Sequence, residues 1–137
     1  MTLPTYISKY QSVVSRYGRW PSFHDANVVH YDPPTPHHAQ LGFTIHTWTM
    51  ANEVDSKGFF VLQDHSLVTF RFRGLSDLKM ETFNSGNILF AMQFSQSAGA
   101  SRFHVELDSV MDMSGSFSAA EGEVISVVSC TSDGKPA

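Results

Sequence analysis

Apolar residues recur at every second position along most of this chain, and that period constrains its fold more than anything else. Leu41, Phe43 and Ile45 alternate with Gly42, Thr44 and His46, and Val68, Phe70 and Phe72 alternate with Thr69, Arg71 and Arg73. Ile88, Phe90, Met92 and Phe94 form a third such series, and Phe103, Val105 and Leu107 a fourth. Side chains of extended backbone point to opposite faces in turn, so each run predicts a half-buried strand. Asn27–Tyr31 reads as a shorter strand, stopped by Asp32-Pro33-Pro34-Thr35-Pro36, where three of five residues lack an N–H.

Turn-forming residues separate these runs. Asn52–Gly58 predicts a hairpin or loop, with Phe59–Leu62 a short strand or the approach to one. Gly74 predicts a bend, and Leu78–Phe83 resumes extended chain. Asn84–Asn87, Ser95–Ser101 and Ser114-Gly115-Ser116 predict further turns, because Gly and Asn tolerate positive φ. Glu123–Cys130 is the last strong run, and Thr131–Ala137 is expected to fray.

One helix is expected, over residues 4–17. Pro4 suits a first turn, and Tyr6, Tyr10, Val13 and Tyr17 fall on one face with Ile7 and Val14 beside them. Gly18 is the natural stop. Strands joined by short turns favour an antiparallel meander over β-α-β units. The expected fold is α+β: an N-terminal helix packed on a mainly antiparallel meander sheet, strongly curved or barrel-like. A length of 137 residues fits one domain, with strands over about residues 27–130.

Composition narrows the function. Hydrophobic residues make up 42 % and charged residues 16 %, which excludes disorder. The net charge is −4 and no run of Lys or Arg occurs, so no nucleic-acid partner is expected. Cys130 is the single cysteine, which rules out an internal disulfide and a thiolate metal cluster. No signal peptide and no membrane-length apolar run is visible, so a cytoplasmic protein without membrane contact is expected.

Trp20-Pro21-Ser22-Phe23-His24-Asp25-Ala26-Asn27-Val28 is the densest mix of anchors and titratable groups. His beside a carboxylate suggests an acid–base unit. In extended chain, however, His24 and Asp25 would point to opposite faces. The structural alternative has Asp25 accepting local backbone N–H bonds and Trp20 and Phe23 plugging the underside of the sheet. Gly18-Arg19-Trp20 matches the Gly-x-Trp pattern of lipocalin-like barrels, but Pro21 removes a ladder donor at once. Seven histidines (His24, His30, His37, His38, His46, His65 and His104) show none of the spacings typical of a first-row metal, so no metal or cofactor is expected. Gly-x-Ser-x-Gly and phosphate-cradling loops are missing, and no catalytic residue is assigned. Arg71 and Arg73 share a wet strand face that would suit an acidic partner or plain solvation.

The run Gly18–Val28 also resembles the opening motif of a bacterial immunity protein family of polymorphic toxin systems, the one catalogued as number fifty. The matching pattern is Trp-Pro-x-Phe-His-Asp-x-x-Val after an N-terminal helix. Val68–Phe72, Phe83-Asn84 and Phe103-His104-Val105 fit as well, so the resemblance spans about residues 6 to 128. Asn27 stands where members tend to carry an acidic residue. The resemblance implies a small cytoplasmic protein that neutralises a cognate toxin by binding it, with no chemistry of its own. Trp20, Phe23, His24 and Asp25, joined by Arg71 and Arg73, are then the candidate binding residues. The rival is a small-molecule or metal-binding β-rich domain, with His24 and the strand histidines converging on one pocket.

Overall fold

In the computed structural model, residues 3–54, 56–58, 60–81, 83, 86, 88–97, 99–109 and 114–137 are described. They are mostly β-sheet with one short helix. In chain order the elements are β1 (Ile7–Ser8), α1 (Gln11–Tyr17), β2 (Asn27–Asp32), β3 (Gln40–Val54), β4 (Phe60–Arg73), β5 (Ser76–Lys79), β6 (Leu89–Ser95), β7 (Phe103–Ser109), β8 (Gly115–Ala119) and β9 (Glu121–Ser129). The predicted turn at Asn84–Asn87 falls largely outside the described residues.

The strands form two sheets and not a single meander. One has the order β1-β9-β4-β3-β2, the other β5-β8-β7-β6. Every pairing is antiparallel except β1 with β9. Two bends join the sheets. β4 turns into β5 at Gly74, whose φ of 65° favours glycine, while β8 turns into β9 at Ala120. The Ala120 N–H donates to the carbonyls of Arg73 (3.0 Å) and Gly74 (3.2 Å), so the two bends lock each other. The sheets do not close into a barrel.

Alternation on β3 and β4 sets the core. Leu41, Phe43, Ile45, Val68, Phe70 and Phe72 are all buried on the inward face. Phe72 meets Phe117 of the other sheet with ring centroids 4.9 Å apart, and Phe70 meets Phe94 at 6.1 Å. Burial of such rings is worth about 1.5–3 kcal/mol each and is the main source of stability.

Bulges change the sequence reading in an instructive way. Ile88, Phe90, Met92 and Phe94 were expected to share a face. A register shift between Leu89 and Ala91 makes Phe90 an extra residue, so Leu89 and Met92 are buried while Phe90 stays 57 % exposed. Val29 in β2 and Ile125 in β9 sit at the same kind of shift and are also exposed. A one-residue slip moves a side chain to the other face, and alternation alone cannot place it.

The helix is much shorter than expected. Its first half is displaced by Ile7–Ser8, which pair with Gly122–Glu123, and Lys9 at φ 63° separates strand from helix. Ile7 is fully buried, so tertiary packing outweighs the helical pattern of residues 4–10. Gly18 ends α1 as expected, with φ 73° and its N–H donating to the Val14 carbonyl. Val13 is the buried residue of α1, which lies against β9. Ser114-Gly115-Ser116 is also corrected: Gly115 and Ser116 open β8 and pair with β7. Residues 131–137, expected to fray, are tied back by backbone bonds in this structure. Thr131 and Gly134 form a turn, and the Ala137 N–H donates to the Ser129 carbonyl (3.1 Å).

Gly122 tests this packing. A Cβ there would lie 2.8 Å from both Ile7 Cδ1 and Phe103 Cζ. Gly122→Ala is expected to destabilise the fold by about 1–3 kcal/mol through overpacking, read as a lower urea midpoint at unchanged slope. An unchanged midpoint would mean that β1 is not seated on β9.

Candidate functional site

Residues 20–28 form the seam between the two open sheet edges, β2 and β6. The Asp25 N–H donates to the Leu89 carbonyl (2.9 Å), the Leu89 N–H returns to the Ala26 carbonyl (2.8 Å), and the Met92 N–H reaches the Ser22 carbonyl (3.4 Å). A bridge between Asn27 and Ile88 continues the seam into β2. Two residues take the left-handed conformation to do this, Phe23 at φ 60° and Asp25 at φ 66°.

That backbone sorts the motif into inside and outside. Trp20 and Phe23 are buried, edge-on to one another at 5.6 Å, and both pack on Phe70. Ala26 and Val28 are buried beside them. His24 and Asp25 point to water and pair with each other, Nδ1 to Oδ2 at 3.2 Å. The expectation that they face apart is therefore wrong, because the chain is turned here and not extended. The expectation that Asp25 caps local N–H groups also changes. Among the described residues its carboxylate meets His24, and it is the Ser22 hydroxyl that accepts from the His24 N–H (3.4 Å). The His24 ring stands edge-on to exposed Phe90 at 5.3 Å, and Ile88, just before β6, is also exposed.

Arg71 and Arg73 lie elsewhere, on the outer face of β4. Glu123 pairs with Arg71 (3.4 Å) and Lys9 (3.2 Å), while Glu121 lies 4.0 Å from Arg73. Hydrogen bonding from Lys9, reinforced by Arg71, holds the Glu123 carboxyl below its usual range. The two guanidiniums share a cleft with Ser8, Glu121 and Glu123, whereas Trp20 borders a different one with Met92 and Phe94. The six candidate binding residues thus occupy a core, a surface pair and a separate sheet face.

Sequence reasoning missed one cluster. His46 is 4 % exposed, and its Nε2 lies 2.9 Å from Nδ1 of His65, with Trp48 against both rings. The turn at residues 131–135 seats Gly134 on the His46 ring. Burial, aided by His65, pushes the His46 imidazole below its ordinary pKa. Nearby, the Tyr17 hydroxyl meets the Ser66 hydroxyl, and Arg16 donates to the His65 carbonyl (3.1 Å). His46 and His65 are 19 residues apart, and only the β3–β4 pairing brings them together. Among the described residues no group of three or more His, Cys, Asp or Glu is arranged as a metal-ligand set. Among the described residues, four clefts are lined without His24, and one of them holds His30, Asp32 and His38. No helix among the described residues is long and apolar enough to cross a membrane.

No family model matches this chain, and no curated protein or solved structure matches it either.

Two expectations follow from these sites. Asp25→Ala should cost about 1 kcal/mol because alanine resists positive φ, and Asp25→Gly should recover it, as read by urea denaturation. Equal loss in both variants would assign the effect to the carboxylate instead. For His46, the ordinary pKa is 6.5 and folding lowers it, so below that pH the unfolded chain takes up a proton that the folded one resists. Stability should be full above pH 6.5 and fall as the pH drops below it, with a weaker fall in His46→Gln. A pH profile unaltered by that substitution would contradict the burial argument.

Proposed function

We propose that this chain is a non-enzymatic protein-binding domain, an immunity protein that neutralises a cognate bacterial toxin in the cytoplasm by occluding it. The observation that carries this reading is the solvent face of the Trp20–Val28 seam. There an aromatic ring, Phe90, stands 57 % exposed against the ring of His24, which pairs with Asp25, and Ile88, two residues earlier in the chain, is 42 % exposed. Large apolar groups left together in water, rimmed by polar ones, favour protein partners, and aromatic anchors dominate binding energy. The buried half of the motif supports the reading in a different way: Trp20 and Phe23 hold the seam rigid, so the exposed half is presented without loss of order on binding. A net charge of −4 would speed encounter with a basic toxin. On this reading Trp20 and Phe23 act as supports, and Arg71 and Arg73 lie outside the contact.

The small-molecule alternative is favoured by one feature, the cleft of about 200 Å³ that holds His30, Asp32 and His38. That alternative needs His24 on the same pocket, and neither this cleft nor the 790 Å³ cleft beside Trp20 is lined by His24, so the protein-binding reading is preferred.

The test is inhibition of any toxin-like protein found encoded beside this chain. Wild-type protein should abolish its activity at a 1:1 ratio. Phe90→Ser should weaken association by about 2 kcal/mol or more, near thirtyfold, without lowering the melting temperature. Arg71→Ala should leave association unchanged. If Phe90→Ser binds as well as wild type, the seam surface is not the contact.

A further inference from the structure

A cleft of about 790 Å³ touches each residue from Ala91 to Gln96, the later part of β6 and its exit. Consecutive strand residues face opposite sides of a sheet, so a cleft over one face would touch alternate residues only. Contact with six in a row brings this cleft to the edge of the strand, and Glu106, paired with Gln93 from β7, shows that it also reaches over one face. β6 is the terminal strand of its sheet, and the seam covers just part of that edge. The last seam bond runs from the Met92 N–H to the Ser22 carbonyl, and no backbone bond joins Trp20, two residues before Ser22, to Phe94. Residues two apart in a regular strand direct their backbone groups alike, so the Phe94 N–H and C=O point toward the cleft. Tyr6 and Trp20 form its apolar wall, and Glu106 is the one fully charged side chain lining it. Natural proteins usually blunt an open edge with lysine, proline or a covering loop, and β6 beyond Met92 carries no lysine or proline.

We propose that this open edge of β6, from Gln93 to Gln96, receives an extended peptide strand from a partner protein, with an apolar side chain against Tyr6 and Trp20 and a cationic one toward Glu106. Backbone bonds to Phe94 supply the affinity, and the wall and Glu106 supply the preference. The cleft begins one residue beyond Phe90, so it continues the surface assigned above to the toxin. The inference rests on the protein-binding reading and names the form of the contact.

The probe is a synthetic six-residue peptide of alternating Val and Lys, its Glu counterpart, and a copy N-methylated at alternate residues. Binding is followed by fluorescence of Trp20 in a Trp48→Phe background and by hydrogen exchange at the Phe94 amide. The Lys peptide should bind saturably, slow Phe94 exchange at least tenfold, and lose at least tenfold in affinity on N-methylation. Glu106→Lys should reverse the preference between the Lys and Glu peptides. Equal binding of the N-methylated copy would make the cleft a side-chain pocket and overturn strand addition, as would no saturable binding of any peptide. Phe94 protection that rises with protein concentration alone would assign the edge to a second copy and overturn the partner peptide. A toxin complex that leaves Phe94 unprotected would sink this inference while sparing the proposed function; peptide binding without any toxin inhibition would do the reverse.

Discussion

Both sheets depend on one pair of bent strands. β4 and β9 pair along the first sheet, and their continuations, β5 and β8, pair along the second. The bends sit opposite each other, at Gly74 and Ala120, and a Cβ on Gly74 would come within 2.7 Å of the Ala120 Cβ. This close approach folds one antiparallel ribbon onto itself, so that Phe70 and Phe72 face Phe94, Phe103 and Phe117 across a single interior. Without the bend, each sheet would have an apolar face and nothing to bury it against.

The bend leaves an opposite side to be closed, and residues 20–28 close it. A regular strand could have bridged β2 and β6, yet the chain uses two left-handed residues here. That choice drives Phe23 and Trp20 inward and swings His24 and Asp25 out together. Structural and surface roles therefore belong to adjacent residues of one motif. The seam's hydrogen bonds stop at Met92, which leaves the rest of β6 as an open edge.

Some of this architecture was legible in advance. Alternation located β3, β4 and β7 and named their buried residues, because an unbulged stretch of strand puts every second side chain on the same face. Pro33, Pro34 and Pro36 marked the end of β2, and Gly18 the end of α1, through backbone restrictions that neighbours cannot alter. The sides assigned to Phe90, Val29 and Ile125 were not legible, since a bulge depends on the partner strand's register. Nor was the fate of residues 4–10, where a helical face gave way to β1 once Ile7 found a place over Gly122.

The candidate site divides along the same line. Sequence alone singled out residues 20–25, because Trp, Pro, Phe, His and Asp so close together combine core anchors with titratable groups. It also determined a mostly β domain of low charge. Tertiary structure decided which of those residues reach solvent, that His24 and Asp25 meet, that Arg71 and Arg73 belong to another face, and that His46 finds His65. The physical reason is that local periodicity encodes which side of a strand is apolar, whereas contacts between distant strands depend on register, bends and bulges that are set when the sheets pack.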